Sequence, residues 1–479
     1  MRWTRRDFMR ITGSSILLQG MMGSISANGQ AAPVAGLVKA NGPGGSYVPK
    51  VHVAFVRRKG EYGLRWPGAI YDGEAALKDY QAKIESTAAN LSMNAMFRPA
   101  PIHSLEEGEA WLKEAEQDSA DGVLVVLLDR QEHAWPTAAK AVEGPLPAVI
   151  FAPIGAAFTT NTTPLAKKEG AFICSTDDFA QPAFGLKMLH AGARLRETRF
   201  IVIKGNERKE QVLPHLGMKL QYIPAQDFVQ TYEQMLENEA VAALAREYMK
   251  NATRVEVATE QDVRNGIKSF LVAQEILRRE NGDGISMDCL GALGPTKISL
   301  PCIAWSRMLD EGIPAACEAD IGACVTHALV QYLFDRPGFQ QDPVADTGTN
   351  CLVGAHCTCP TRLSGLGQAP EPYHLSHHHG NRDAVPIPQW REDQRVTVAD
   401  VELPQDPKLP LSMFISAGAV VNNVSVPPSG GCVVSVRIKL DGVEDLLDYP
   451  GFHQIIFYGD YKRELRDFCR LYKLQAKVV

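Results

Sequence analysis

Carboxylate and imidazole side chains recur where apolar runs of this sequence meet loops, and side chains of these types could share a metal ion. Glu318 and Asp288 each follow a short apolar run, His356 closes another, and His453 directly precedes a fourth. Carboxylates and imidazoles together suit a hard to borderline divalent cation such as Mn²⁺, Mg²⁺ or Co²⁺. The alternative is that the acids pair with Lys or Arg and that the histidines are ordinary buried side chains.

The chain around Glu318 predicts how such a site is positioned. The segment from Ile313 to Glu318 is typical of a buried strand, and a helix over Ile321 to Phe334 is predicted directly after it. This order places Glu318 at the carboxyl edge of a parallel sheet, where open α/β sheets bind ligands. Asp288 occupies the equivalent position on the preceding predicted strand.

Histidines also form a run, Tyr373-His-Leu-Ser-His-His-His-Gly, which we interpret as a loop at the mouth of the site. We expect His377 and His378 to touch substrate, with an ordinary exposed loop as the alternative. Trp66 follows the first predicted strand and could stack on a sugar ring, although such aromatics more often fill space between helix and sheet.

Periodicity predicts three domains behind a leader and a connector. Apolar runs alternate with helical periods over 50–190 and again over 191–340, which predicts two tandem doubly wound α/β domains, the second carrying Glu318. In that second domain a single helical stretch is expected over Phe228 to Lys250. Over 341–479 Gly, Pro and Thr become frequent, and short alternating runs predict a mostly β domain that ends in a helix.

The leader contains the heptad Thr-Arg-Arg-Asp-Phe-Met-Arg, in which Arg5 and Arg6 form the consecutive pair of a twin-arginine export signal. The apolar run that follows is short and rich in Gly and Ser, so it is a poor membrane span. We predict a signal peptide over 1–32, a connector over 33–49, recognition by the twin-arginine translocase, and a periplasmic or otherwise exported protein. An uncleaved anchor is the alternative.

Composition excludes some partners. The formal net charge is −6 and no basic tract is present, which argues against nucleic acid as a partner. No Gly-x-Gly-x-x-Gly motif occurs, so no nucleotide cofactor is indicated. Seven of the ten cysteines lie between Cys289 and Cys359. We expect mostly free, buried thiols, although a Cys-x-Cys pair such as Cys357 and Cys359 could ligate a soft metal.

The chain contains the motifs Cys302-Ile-Ala-Trp-Ser-Arg-Met-Leu-Asp-Glu-Gly-Ile-Pro-Ala-Ala-Cys-Glu-Ala-Asp-Ile, Arg336-Pro-Gly-Phe, Asn350 and Ala355-His-Cys. These motifs resemble a known family, the fucose and arabinose isomerase superfamily, and especially its uncharacterised fucose isomerase-like proteins. The similarity is clearest from about Gly284 to Pro360 and again from Gly451 to the end. Over Val51 to Glu280 only the α/β pattern agrees.

The resemblance implies two flavodoxin-like domains before a β-rich C-terminal domain, a homo-oligomer, and a divalent metal, commonly Mn²⁺, that holds O1 and O2 of an open-chain sugar. Two carboxylates of the family ligate this metal and move protons. Carried over, Glu318 falls on the second carboxylate, His453 on the C-terminal histidine and His356 on a histidine at the site. The first carboxylate should lie on the preceding strand, where only Asp288 is available.

These features together predict an exported, metal-dependent intramolecular oxidoreductase that interconverts an aldose and a ketose monosaccharide through an enediol. Alternatives are a metal-dependent carbohydrate lyase or hydrolase, and a non-catalytic sugar-binding protein. The metal is expected to be Mn²⁺, with Mg²⁺, Co²⁺ or Zn²⁺ as alternatives. The predicted roles are catalysis by Glu318 and Asp288, metal binding by Glu318, His356, His453 and Asp288, and substrate binding by His377, His378, Trp66 and Asn350.

Overall fold

A computed structural model of the chain describes residues 42–479 except 61–63, 66–68, 71, 131, 379–381, 405, 407 and 425–431. All described residues belong to one compact unit, Val38–Val479. Arg5, Arg6 and the predicted signal peptide, as well as Trp66, lie outside the described residues. In the part of the chain that is described, no helix has both the length and the apolar character that a bilayer span requires.

The first region is built on a parallel sheet in the order β4-β1-β5-β6-β7, which is the flavodoxin-like order. Its central strands are apolar on both faces because helices cover both sides. The strands are β1 (Lys50–Val56), β2 (Leu64–Arg65), β3 (Ala69–Ile70), β4 (Asn94–Phe97), β5 (Gly122–Leu127), β6 (Ala148–Ala152) and β7 (Ala171–Ser175). The helices are α1 (Pro43–Ser46), α2 (Gly73–Asn90), α3 (Leu105–Gln117), α4 (Ala134–Glu143), α5 (Thr159–Ala166) and α6 (Ala180–Glu197).

The second region has a sheet in the order β13-β12-β8-β10-β9, parallel except for the edge strand β9. Its strands are β8 (Arg199–Ile203), β9 (Lys209–Val212), β10 (Lys219–Ile223), β11 (Arg254–Val255), β12 (Gly284–Met287) and β13 (Ala315–Cys317). Its helices are α7 (Ala225–Gln234), α8 (Glu239–Asn251), α9 (Glu260–Glu280), α10 (Cys289–Leu293), α11 (Cys302–Asp310) and α12 (Ile321–Phe334). The helix predicted over Phe228 to Lys250 is therefore two helices, α7 and α8.

The third region is a β-barrel-like sheet. The order β18-β21-β14-β15-β20-β19, with β18 also paired to β19, closes the sheet on itself, and β22 adds to β19. A smaller sheet joins β11, β16 and β17. The elements are β14 (Phe339–Asp346), β15 (Cys351–His356), β16 (Tyr373–His378), β17 (Arg382–Pro388), β18 (Arg395–Glu402), β19 (Ser412–Asn423), β20 (Val434–Leu440), a 3₁₀ turn (Leu446–Asp448), β21 (Gln454–Tyr458), α13 (Lys462–Leu471) and β22 (Gln475–Val478).

The predicted fold class is confirmed: two doubly wound α/β layers precede a mostly β region. The boundary predicted after residue 190 falls inside α6, and the boundary predicted after residue 340 falls inside β14. The histidine run forms strand β16 through His378, where a loop was expected, because it pairs with β11 on one side and β17 on the other.

The apolar helix α12 joins the second region to the barrel. Nearly all of its residues are buried, and it packs against β18 as well as against its own sheet. Thr326 on α12 accepts a hydrogen bond of 2.9 Å from the Val401 amide of β18. Burying a large aliphatic side chain contributes about 1.5–3 kcal/mol, so a nearly all-buried helix of this length is a major attachment between the two regions. The position of the residues directly before α12 is therefore fixed by this packing.

Candidate metal centre

Glu318 lies in the tight turn between β13 and α12. Glu318 and Ala319 both have left-handed backbone angles, with φ of 61° and 54°. Non-glycine residues pay about 1–3 kcal/mol each for sparsely populated conformations of this kind, which cluster at functional sites. The turn is fixed on both sides: the Ala319 amide donates to Met287 O at 3.1 Å, and the Cys317 amide donates to Gln340 Oε1 of β14 at 2.8 Å.

The Glu318 carboxylate faces two imidazoles. Its Oε1 is 3.7 Å from His356 Nε2 and its Oε2 is 3.4 Å from His453 Nε2. The ring centroids of His356 and His453 are 5.6 Å apart, and the ring planes make an angle of 76°. Ligand atoms of Glu318, His356 and His453 all lie within 4.8 Å of one another, a spacing that one cation could span. Three of the four predicted ligands are thus brought together.

Asp342 is a fourth member that sequence reasoning missed. Its Oδ1 is 3.1 Å from His453 Nε2, although the two are not aligned as a hydrogen bond. Asp342 lies on β14 opposite Ala355 of β15, and its neighbour Gln341 lies opposite Gln454 of β21. The register therefore places Asp342 between the strand end that carries His356 and the strand start that follows His453. The position of Asp342 near His453 follows from this cross-strand register, and the residues around Asp342 in the sequence do not predict it.

Asp320 orients the second imidazole. One carboxylate oxygen accepts from the Ala323 amide at 2.8 Å and caps α12, while the other lies 2.9 Å from His453 Nδ1. A carboxylate on Nδ1 leaves Nε2 as the ligand atom, which is the arrangement that orients histidines in metal sites. His356 Nδ1 lies 3.5 Å from Cys357 Sγ, so its Nε2 also faces Glu318.

The charges of the centre reinforce one another. The close approach of His356, and then of His453, holds the pKa of Glu318 well below its usual range. Burial opposes the charged form of His356, but Cys357 and Glu318 outweigh it and raise its pKa to about 10. Burial likewise opposes charge on His453, whose pKa Asp320, Asp342 and Glu318 raise to about 11. A cation would have to displace protons from both imidazoles, so its binding would be coupled to pH.

The donor set fits a divalent ion. His356 Nε2, His453 Nε2 and Asp342 Oδ1 are buried and have no hydrogen-bond partner among the described residues. Such buried unsatisfied atoms cost about 1–3 kcal/mol each unless another group satisfies them. The Glu318 side chain is 42% exposed whereas the two histidine side chains are 2% and 4% exposed. The centre is therefore closed on its imidazole side and accessible to a ligand on its carboxylate side, as catalytic metal sites are.

The remaining predicted residues lie elsewhere. Asp288 caps α10, where its Oδ1 accepts from the Gly291 amide at 3.3 Å, and it belongs to none of the candidate ligand groups among the described residues. His377 Nε2 is 2.9 Å from Asp262 Oδ2 of α9. His378 lies with Cys302 and Cys357. Asn350 donates to Val443 O and Glu444 O at the opposite end of β15 from His356, about 20 Å away at the usual rise per residue.

The cysteine thiols are mostly free and buried, as the sequence analysis predicted. All ten cysteines are free, and each is buried apart from Cys432, which is half-buried. Cys302, Cys317 and Cys357 lie next to the carboxylate–imidazole centre, where Cys317 and Cys357 form a further group of close ligand atoms with His356.

Comparisons with known proteins give little guidance. No protein-family model matches the chain, and no curated protein matches it. Among solved structures, a solute-binding protein of an ABC transporter from Burkholderia multivorans is 13% identical, with 61% of this chain and 95% of that chain covered at a TM-score of 0.18. A sugar-binding protein of a sugar ABC transporter from Bacillus halodurans is 14% identical, with 63% and 92% covered, also at 0.18. Scores this low do not establish a common fold.

Proposed function

We propose that this protein is a metal-dependent aldose–ketose isomerase acting on a monosaccharide. The observation that carries the proposal is the convergence of Glu318, His356 and His453 within 4.8 Å, with Asp342 beside them. The resemblance of the motifs around Glu318 to sugar isomerases supports the same reaction class. The twin-arginine motif supports export to the periplasm, and the resemblance supports a homo-oligomer.

A divalent cation, Mn²⁺ by its preference for mixed carboxylate and imidazole donors, would supply Lewis-acid polarisation of the sugar carbonyl. Glu318, His356, His453 and Asp342 would hold it. Because Asp288 is engaged as a helix cap, Asp342 takes the place of the first carboxylate that the resemblance requires.

The chain's own side chains then move the protons. A glutamate carboxylate is ionised at neutral pH, so Glu318 can accept the proton when the C2–H bond of an aldose breaks. The same carboxyl group returns a proton to C1, which completes the shift of hydrogen from C2 to C1. Asp342 transfers the O2 hydroxyl proton to O1, so that the aldehyde oxygen of C1 becomes a hydroxyl group and C2 becomes the ketone carbon. Asp320 keeps His453 in one orientation throughout, so the geometry does not reorganise between the two transfers.

Deuterium incorporation tests this function. The mature protein, loaded with Mn²⁺, is incubated in D₂O with a panel of aldoses and ketoses, and the sugars are analysed by NMR. Isomerisation through an enediol predicts deuterium at C1 or C2 of one of these sugars, and Glu318→Gln should abolish it. A Mn²⁺-loaded protein that exchanges no hydrogen on any sugar of the panel would contradict an isomerase, and product analysis would then discriminate a lyase or hydrolase from a sugar binder.

Asp288→Asn separates the sequence-based and structure-based assignments of the first carboxylate. If Asp342 fills this role, Asp288→Asn keeps the exchange rate and Asp342→Asn loses it. The opposite pattern would restore Asp288 as the catalytic acid.

A further inference from the structure

Three buried thiol groups lie next to the carboxylate–imidazole centre. Cys302 begins α11, Cys317 ends β13, and Cys357 follows β15. Their exposed fractions are 2%, 2% and 6%. Three elements from two regions of the fold thus deliver thiols to one buried place.

These thiols lie at metal-ligand spacing. Cys302 Sγ, Cys357 Sγ and a ring nitrogen of His378 are all within 4.8 Å of one another. His378 reaches this group from the end of β16 and is 5% exposed. Cys317 belongs to a second such group, and the two groups have Cys357 in common. Cysteines elsewhere, such as Cys469, join no such group among the described residues.

The donor types distinguish this cluster from the neighbouring centre. Two thiols and an imidazole are soft to borderline ligands that favour Zn²⁺ or Cu⁺, whereas the carboxylates of Glu318 and Asp342 favour harder ions. Because Cys302, Cys357 and His378 are all buried, an ion among them would be shielded from solvent. Such burial favours a structural site over a catalytic one, because a substrate could not reach the ion.

We propose that Cys302, Cys357 and His378 form a second, structural metal site for a thiophilic ion of the Zn²⁺ or Cu⁺ type. The bound ion links α11 of the second region to β15 and β16 of the third region. It therefore fastens the strand end that carries His356 without taking part in the sugar chemistry. This site is independent of the proposed isomerase activity.

Cobalt spectroscopy tests the second site. The reduced, metal-free full-length protein is first saturated with Mn²⁺ to fill the oxygen-rich centre and is then titrated with Co²⁺. Tetrahedral thiolate coordination predicts a near-ultraviolet thiolate-to-cobalt charge-transfer band that saturates at an equimolar amount of Co²⁺. Zn²⁺ should bleach the band, and a parallel Cu⁺ titration against a chromophoric chelator shows which ion binds more tightly. Absence of the band in the unmodified protein overturns the proposal.

Amino-acid substitutions test which residues give rise to the cobalt charge-transfer band. Cys302→Ser should lower Zn²⁺ affinity by more than about 100-fold, above the 10- to 100-fold that loss of an outer-shell partner costs. Cys469→Ser is the matched control, since Cys469 is equally buried but contacts Met413 Sδ at 3.8 Å in another part of the fold. It should keep the band and the affinity. A band that survives Cys302→Ser, in protein with an unchanged far-ultraviolet circular dichroism spectrum, contradicts the site.

Glu318→Gln separates this proposal from the isomerase function. It should abolish deuterium exchange but leave the cobalt band intact. Zn²⁺ should also raise the melting temperature of the unmodified protein and of Glu318→Gln, but not that of Cys302→Ser, because only a protein that retains the site gains stability from the ion. A disulfide between Cys302 and Cys357 in protein isolated without reductant, with no metal uptake after reduction, would overturn the proposal.

Discussion

The residues of the proposed metal centre depend on one another for their orientation. Asp320 both caps α12 and holds His453 Nδ1, so the same carboxylate sets the start of a buried helix and the direction of a ligand nitrogen. Glu318 follows β13 directly and faces His356 and His453 from a strained turn. The ligand geometry is therefore a consequence of how β13 ends and α12 begins.

Asp320→Asn should weaken metal binding without unfolding the helix. Asn caps helices nearly as well as Asp, but it places a neutral amide against His453 Nδ1 in place of a carboxylate. We expect Mn²⁺ affinity to fall about 10- to 100-fold, as for other outer-shell partners, with an unchanged helix content of the metal-free protein. Isothermal titration calorimetry measures the first quantity and far-ultraviolet circular dichroism the second. Unchanged Mn²⁺ affinity would show that Asp320 serves only as a cap.

Asp342→Asn should have a larger effect because it removes a charged ligand atom. We expect Mn²⁺ affinity to fall by more than about 100-fold, beyond the range for outer-shell partners. Asp346→Asn is the matched control, since Asp346 lies at the end of the same strand and pairs with Arg437 and Thr349. Equal losses in the two variants would indicate a general charge effect in place of ligation.

Sequence reasoning predicted Glu318, His356 and His453 as metal ligands because each lies at a boundary between an apolar run and a loop. It assigned Asp288 by the same rule, but the Asp288 carboxylate caps α10. Asp342 lies inside β14, so no boundary marks it, and its proximity to His453 depends on the pairing of β14 with β15 and β21. Long-range register of this kind is set by tertiary packing and cannot be read from local spacing.

At the scale of elements, local signals predicted some boundaries well. The helix expected over Ile321 to Phe334 forms with those bounds, since Asp320 caps its start and Asp335 adopts a left-handed conformation at its end. The helix expected over Phe228 to Lys250 is divided into α7 and α8. Asn238 caps α8 by accepting from the Val241 amide at 3.1 Å. The apolar periodicity continues across the break, which is why the division was missed.

Asn238→Ala should destabilise the protein by about 1 kcal/mol, because the first amides of α8 lose their side-chain acceptor. A shift of the urea midpoint to lower concentration measures the loss. Asn251→Ala, the same substitution at the last residue of α8, should change the midpoint less because no N-terminal amide depends on it. Equal shifts would show that the Asn238 cap contributes nothing specific.

At the scale of the whole molecule, the strand of the barrel that packs against α12 carries a buried acid, Asp400, close to Asp320 of the proposed metal centre. Asp400 of β18 is 4% exposed, and burial, followed by the charge of Asp320, raises its pKa to about 7. The folded protein thus keeps a proton that the unfolded chain releases near pH 4. Stability is therefore greatest below that pH and, as far as this group is concerned, falls as the pH rises from about 4 to about 7.

Asp400→Asn should flatten that dependence. In metal-free protein we expect the free energy of unfolding to decline by a few kcal/mol, to order of magnitude, between about pH 4.5 and 7, and the variant to lose this part of the decline. Urea unfolding at several pH values measures both slopes. Parallel slopes for the two proteins would show that Asp400 is already ionised in the folded state.

Mn²⁺ binding, followed by electron paramagnetic resonance, tests the central claim most directly, because free Mn²⁺ gives a strong signal that ligation broadens. The unmodified protein should remove an equimolar amount of Mn²⁺ from solution, whereas Glu318→Gln should bind more than about 100-fold more weakly and Asp346→Asn should bind normally. Failure of the unmodified protein to bind Mn²⁺, or equal affinity in Glu318→Gln, would contradict a metal centre at Glu318, His356, His453 and Asp342.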